Sequence, residues 1–360
     1  MIYVHVPFCR SFCTYCDFYS EIAADSAFGP YTDSLCREIR SRRDEMDGST
    51  LRTLYFGGGT PTVLPLSCLS RILLALEETG NGGPWEEFTM EANPDDVVTA
   101  GSDYIRSLKL LGVNRISLGV QSFDDGLLRW MNRRHDGAAA EESVRMVREA
   151  GIGNVSIDLI FGINGLEDSV WEDTIDRAVA TGAKHISCYQ LSMEGESALA
   201  GMLSRGEYTE ASDTLCSRQY GILCRKLAAA GFRHYEISNF ALPGYEAVHN
   251  AGYWARVPYT GLGPSAHSFR GNVRSWNSDT LSDWTRSEET LSPEDERVET
   301  IMLSLRMDRG ISEGFLHRNC SKESLDEALG RGDLVPAVPG RLRIPEEKMF
   351  VSDAIIRQLI

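Results

Sequence analysis

Nowhere in the chain does an apolar run approach the ~20 residues needed to cross a bilayer, and the N-terminus lacks the basic flank, apolar core and small-residue cleavage site of a secretory signal. Positive charge is also scarce: 36 Lys and Arg face 52 Asp and Glu, a net charge of −16. A surface that acidic excludes wholesale binding to nucleic acid or to an anionic membrane, leaving only a local basic patch open. There is no internal repeat and no low-complexity tract, so solenoids and disordered arrays are excluded. These absences point to a cytoplasmic protein. Its nine cysteines are then expected as thiols or metal ligands, not disulfides.

What is present is a chain of 360 residues, 42% of them hydrophobic, enough for one large domain plus a smaller one. Short apolar strands recur at 2–6, 51–56, 87–91, 115–120, 155–161 and 185–191. Helical patterns follow them near 31–46, 66–78, 102–111, 138–150, 168–181 and 212–230. Strands alternating with helices at this spacing imply parallel βα units with right-handed crossovers. Six units are fewer than the eight of a closed barrel, so the expected α/β fold is a partial (β/α)6 barrel over residues 1–231, its site at the C-terminal strand ends. Residues 232–292 read as a connecting segment rich in Gly, Pro and aromatics, with one candidate strand at 232–240. From 293 to 360, helical patterns, the hairpin candidate "LVPAVPGRLRI" and a last helix near 350–359 suggest a small winged-helix-like α/β domain.

Six cysteines are scattered singly and read as small buried hydrophobes. The other three, Cys9, Cys13 and Cys16, crowd into "FCRSFCTYCDF" directly after the first strand. Structural zinc usually takes four ligands in two separated pairs, and no second Cys or His pair exists. A [4Fe–4S] cluster normally takes four thiolates. Three leave one iron without a protein ligand, open to substrate or cofactor. His5, on the preceding strand, is read as orienting a neighbour or filling space.

A C-x3-C-x2-C triplet after the first strand of a βα barrel resembles the radical S-adenosylmethionine superfamily. "YFGGGTPT" (55–62), with the residues before the triplet, resembles its oxygen-independent coproporphyrinogen III oxidase-like branch. The resemblance implies a [4Fe–4S] cluster held by Cys9, Cys13 and Cys16, with S-adenosylmethionine chelating the open iron. It implies cofactor contacts from Tyr3 and Tyr15, from the backbone of Gly58 and Gly59, and from Glu91 in "MEANP" (90–94). In that family a second S-adenosylmethionine is sometimes held by the third glycine, Thr60, Gln121, Arg133 and Asp158, so one or two molecules are implied. Glycine at such a strand end permits positive φ and close approach of backbone to ligand.

The oxidases of this branch carry a further cysteine two places after the third. Here Phe18 stands in that place, and a phenyl ring cannot replace a thiol in any polar or redox role. Phe18 is expected to pack against the cluster and shield it, and decarboxylation of coproporphyrinogen is not expected. The chain also lacks the long extension that precedes the first strand in those oxidases. With "HNAGYW" (249–254), these departures resemble the heme chaperone (HemW-type) subgroup, which binds heme and passes it to respiratory acceptors. The resemblance implies heme as ligand, with His249 a candidate axial ligand and Tyr253 and Trp254 offering flat apolar surface. The partners implied are acceptor hemoproteins and an electron donor, with no nucleic acid and with room for peripheral contact with membrane proteins. The alternatives are a coproporphyrinogen III oxidase, or another radical enzyme of the branch such as a methyltransferase. Acceptor, electron donor and oligomeric state do not follow from the sequence.

Overall fold

The computed structural model of the chain describes residues 1–46, 50–192 and 197–360. Six parallel strands lie side by side in chain order: β1 (Ile2–Val6), β4 (Thr53–Gly58), β5 (Glu87–Ala92), β6 (Arg115–Gln121), β7 (Asn154–Phe161) and β8 (His185–Gln190). Between the first two, a two-residue ribbon pairs β2 (Phe8–Cys9) with β3 (Glu21–Ile22). Helices α1 (Asp25–Ser41), α2 (Leu66–Glu78), α3 (Pro94–Leu110), α5 (Gly137–Glu149), α6 (Asp168–Ala180) and α8 (Asp213–Ala229) follow these strands, with the short α4 (Asp125–Trp130) and α7 (Ala198–Ser204) added near the strand ends. The α3 helix starts well before the expected residue 102. Pro94 opens it and Gly101 interrupts it at φ 79°, so only its second half carries an unbroken helical pattern.

Side chains alternate along each strand between two faces, as the period of two dictates. One face is apolar and fully buried under the helices: Val4 and Val6, Leu54 and Phe56, Phe88 and Met90, Ile116 and Leu118, Val155 and Ile157. The other face is polar. In register it runs Tyr3, Tyr55, Thr89, Arg115 at one level and Glu91, Ser117, Ser156, His185 nearer the C-terminal ends. A sheet with one apolar face and one polar face has its hydrophobic core between strands and helices and a hydrophilic concave side. That differs from a closed eight-stranded barrel, whose interior is packed.

The segment read as a connection extends this sheet at both edges. A hairpin of β9 (Arg233–Glu236) and β10 (Asn239–Ala241) joins β8 antiparallel, and β11 (Thr260–Leu262) joins β1 in parallel. The result is nine strands in the order β11-β1-β4-β5-β6-β7-β8-β10-β9. Between the two additions, "HNAGYW" lies on a helix, α9 (Val248–Trp254), not in a loop. Glu87 accepts from the backbone N–H groups of Val248 and His249 at 2.8 and 3.0 Å. A carboxylate there neutralises the unpaired donors and positive end of the helix. A three-stranded sheet, β12 (His267–Arg270), β13 (Val273–Asn277) and β14 (Arg286–Thr290), follows.

The last part has its own core, of Ile301, Leu305, Leu316, Leu325, Leu342 and Ile355 among others. Helix α10 (Pro293–Leu305) opens with a capping box between Ser292 and Asp295. Then come α11 (Glu313–Asn319), α12 (Lys322–Gly330), a small sheet of β15 (Ile311–Ser312), β17 (Arg341–Arg343) and β16 (Val335–Pro336), and α13 (Ser352–Arg357). Among the described residues, no helix is long and apolar enough to cross a membrane.

Candidate cofactor site

The cysteine loop is fastened at several points. Phe8 is fully buried, edge-on to Phe28 at 4.9 Å and Tyr31 at 5.2 Å. The ribbon holds the loop's base through Glu21 N–H to Pro7 O (2.6 Å) and Ala23 N–H to Cys9 O (2.8 Å). Across the mouth, Thr14 donates its N–H to Met131 O (3.1 Å) and its hydroxyl to Trp130 O (2.9 Å), while Asn132 donates to Phe12 O (2.7 Å). Cys9, Cys13 and Cys16 are all half-buried free thiols on this loop. Burial pushes the Cys16 thiol up to about 11 and raises that of Cys9 as well.

The glycine segment at the end of β4 packs onto the same loop. Gly59 N–H bonds to Val6 O (2.8 Å) and Thr60 N–H to Phe8 O (2.7 Å), and the Thr60 hydroxyl lies 3.7 Å from Cys9 Sγ. Gly58 adopts φ 107°, and a Cβ there would stand 2.5 Å from the His5 ring. His5 is held by Tyr19 O at 3.0 Å and the Tyr3 hydroxyl at 3.1 Å. The glycine therefore makes room first for a neighbouring side chain of its own fold.

Glu91 accepts from Gly58 N–H at 3.1 Å and from the Tyr55 hydroxyl at 2.7 Å. Burial raises its carboxyl to about 7, against those two hydrogen bonds. Arg133 donates to Cys13 Sγ at 3.1 Å, to Asn93 Oδ1 at 2.5 Å, and to Gly119 O. Asn93 in turn donates to Thr60 at 2.8 Å. Gln121, at a bulge closing β6, sits at φ 68°, an uncommon conformation for a residue with a side chain. Asp158 accepts from the Ser117 hydroxyl, and burial raises its carboxyl. Tyr15 is half-buried within the thiol loop, and burial pushes its hydroxyl up.

Thus Cys9, Cys13, Thr60 and Arg133 are joined through direct contacts at one mouth, with Gly58, Gly59 and Glu91 beside them. Tyr55, Asn93 and Ser117 belong to the same network; Tyr55 and Asn93 stand within "YFGGGTPT" and "MEANP" with no role implied for them there, and Ser117 stands in no motif. The signal that would have found them is the recurrence of a polar residue at alternate positions on successive strands.

Phe18, expected to pack against the cluster, is 68% exposed and lines a cavity of about 540 Å³ with Tyr3, His5, Tyr253, His267 and Phe269. The expectation for His249 is corrected. His249 has no exposed surface: its Nδ1 is 2.8 Å from the Thr53 hydroxyl and its Nε2 2.8 Å from the Tyr253 hydroxyl. Thr53 begins β4, so this imidazole lies at the opposite strand ends from the cysteines, with no nitrogen free for iron.

The donor set fits the cofactors the motif implies. Three thiols stand at one mouth, Gly58 and Gly59 bring bare backbone up to the thiol loop, and the buried Arg133 Nε has no partner. The three thiols do not gather as a cage for a single ion. Among the described residues, the only group of three or more such ligands with donor atoms within 4.8 Å of one another is elsewhere, at Cys224, His234 and Glu346. A four-iron cluster spreads its thiolates more widely than one ion does.

Residues 3–178 match the radical SAM superfamily, the class that the sheet, the thiol triplet and the glycine segment define. "Heme chaperone HemW" of Synechocystis is 34% identical over 328 residues, covering 86% of this chain and 78% of its own length. The protein of the same description from Mycobacterium tuberculosis is 31% identical, covering 100% and 94%. The crystal structure of the coproporphyrinogen III oxidase HemN from Escherichia coli superposes with a TM-score of 0.82 at 19% identity, over 99% of this chain and 89% of that one. That last likeness shows the fold. The sequence likenesses go further, and the chain belongs to the HemW family of radical SAM proteins.

Proposed function

We propose that this chain is a heme chaperone built on a radical-enzyme scaffold: it holds a [4Fe–4S] cluster and S-adenosylmethionine at the mouth and passes heme to acceptor hemoproteins. Cys9, Cys13 and Cys16 would ligate the cluster, with Arg133 beside Cys13 balancing thiolate charge. Tyr3, Tyr15, the Gly58–Gly59 backbone and Glu91 would hold S-adenosylmethionine; Thr60, Gln121, Arg133 and Asp158 would serve a second molecule. When bound, the cluster supplies an electron that can break the C–S bond of S-adenosylmethionine. The chain's own groups position the ligands: the glycine backbone admits them, and the Glu91 carboxyl, poised near neutrality, accepts a proton or pairs with an ammonium.

The observation that carries the heme reading is Phe18. Where a decarboxylase of this branch presents a thiol, this chain presents an exposed phenyl ring to a cavity walled by Tyr3, Tyr253 and Phe269. Flat aromatic walls suit a porphyrin face. Arg256 and Arg274 at the rim, both paired with Glu299, suit its carboxylates. With His249 committed elsewhere, His267 is the exposed imidazole on that wall and the better candidate for the iron.

The test is anaerobic reconstitution followed by heme titration and an assay on coproporphyrinogen III. One heme per chain, transferable to an apo-hemoprotein, with no decarboxylated product, is the expected result. Product formation would make the protein an oxidase, and absence of stoichiometric heme would end the chaperone reading. A Cys9→Ala/Cys13→Ala/Cys16→Ala variant that kept its iron and sulfide would overturn the cluster assignment.

A further inference from the structure

Among the described residues, the one group of clustered metal-ligating side chains lies where the appended domain meets the barrel. Cys224 projects from α8, His234 from β9, and Glu346 from the 3-10 turn Glu346–Val351. Their donor atoms all lie within 4.8 Å of one another. The turn is the joint itself: Met349 belongs to the barrel core, whereas Ile355 and Ile356 just beyond belong to the core of the appended domain.

The hydrogen bonds around His234 fix its tautomer. The Tyr220 hydroxyl donates its proton to Ile237 O at 2.8 Å, so toward His234 Nε2, 3.1 Å away, its oxygen can only accept. Nε2 therefore carries a hydrogen, with Ile237 O a second acceptor at 3.4 Å. In the neutral ring the lone pair then sits on Nδ1, which faces the Glu346 carboxylate at 3.5 Å. A lone pair facing a carboxylate is repulsive unless something positive lies between them. A proton would satisfy the histidine and the glutamate without engaging the half-buried thiol of Cys224 beside them. A cation satisfies all three.

We propose that Cys224 Sγ, His234 Nδ1 and a Glu346 oxygen form a binding site for a divalent cation of the zinc class, which fastens the appended domain to the barrel. One thiolate, one imidazole and one carboxylate are a ligand set such a borderline ion prefers, with a fourth position for water. The outer shell is of the usual kind, because the nitrogen not facing the ion donates to a carbonyl and a hydroxyl. Phe240 stacks on the ring at 4.3 Å and sets its plane. Glu346, 47% exposed, leaves an entry path. Binding would release the thiol proton and stabilise the docked arrangement by mass action.

The experiment uses the full chain carrying Cys9→Ser, Cys13→Ser and Cys16→Ser, so that no iron–sulfur absorption interferes, titrated anaerobically with Co²⁺. The expected result is a tetrahedral cobalt spectrum with a thiolate charge-transfer band that saturates at one equivalent and is displaced by Zn²⁺. Adding Cys224→Ser should abolish the charge-transfer band. Adding Glu346→Gln, a change at a half-exposed group that leaves packing intact, should weaken binding at least tenfold. No saturable binding, a band that survives Cys224→Ser, or an affinity unmoved by Glu346→Gln would overturn the site and leave His234 and Glu346 as a plain ion pair.

Discussion

Arg133 Nη1 lies 3.1 Å from Cys13 Sγ, while its other donors reach Asn93 and the carbonyl of Gly119. The guanidinium thus ties the thiol loop to the end of β6 and places a permanent positive charge against one of the three sulfurs. Its charge is also upheld by that neighbourhood, because nearby Tyr15 and Cys13 favour the cation against the cost of burial.

The first prediction follows from this charge. A unit charge at such a distance is worth about 1–4 kcal/mol between aqueous and protein-surface dielectrics. A reduced cluster carries one more negative charge than an oxidised one and gains most from the cation. Arg133→Gln should therefore make the cluster harder to reduce, by roughly 40 mV or more at about 59 mV per 1.4 kcal/mol for a one-electron couple. A redox titration followed by electron paramagnetic resonance measures this. A potential equal to that of the unmodified protein would show that Arg133 is not electrostatically coupled to the cluster.

Gly58 gives the second. At φ 107°, and with a Cβ position 2.5 Å from the His5 ring, Gly58→Ala should lose about 1–3 kcal/mol of stability. The melting temperature should fall even without any ligand. Loss of S-adenosylmethionine affinity in this variant is expected too, and it counts as a contact effect only beyond what the fall in folded population explains. An unchanged melting temperature would show that the loop relaxes away from His5 at no cost.

The parts of this molecule carried by local pattern are legible in the sequence, and those carried by distant pairing are not. All six parallel strands follow from apolar alternation, and the thiol triplet from its spacing. The polar face of the sheet is written in those same strands: "TLYFGG" alternates Thr53, Tyr55 and Gly57 with Leu54 and Phe56. It stays unread when only the apolar half of the alternation is followed. Helix α9 is too short and too aromatic to show a helical period, and what holds it is Glu87, far away in the chain. The same distance hides Cys224, His234 and Glu346, each a scattered residue until the fold assembles them.

His249 supplies a prediction about acid stability. Burial lowers its pKa to about 3, against ~6.5 in an unfolded chain. A histidine held neutral in the fold contributes stability that is fully present above pH ~6.5 and is lost as pH falls towards about 3, by up to about 1.4 kcal/mol per unit. His135, lowered to about 4, adds to the same trend. His249→Gln should flatten the acid limb of a urea-midpoint against pH curve by about one proton. His249→Ala should cost about 2–4 kcal/mol, because it opens a cavity and strands the hydroxyls of Thr53 and Tyr253. An acid limb identical to that of the unmodified chain would mean that the ring is not held neutral.

The last prediction sets two histidines against each other. If heme sits in the cavity under Phe18, the exposed His267 can reach the iron, whereas His249 is sealed at the far strand ends with both nitrogens bonded. His267→Ala should change the heme spectrum and electron paramagnetic resonance signal, with iron–sulfur content unaltered. Phe18→Ala should leave the ligand signature alone and weaken affinity by about 1–3 kcal/mol, the worth of an aromatic face against a flat apolar ligand. His249→Gln, in the fraction that remains folded, should keep the unmodified spectrum. A spectrum altered by His249→Gln and indifferent to His267→Ala would place the iron at α9. That outcome would require the helix to open and expose a ring that here has no surface at all.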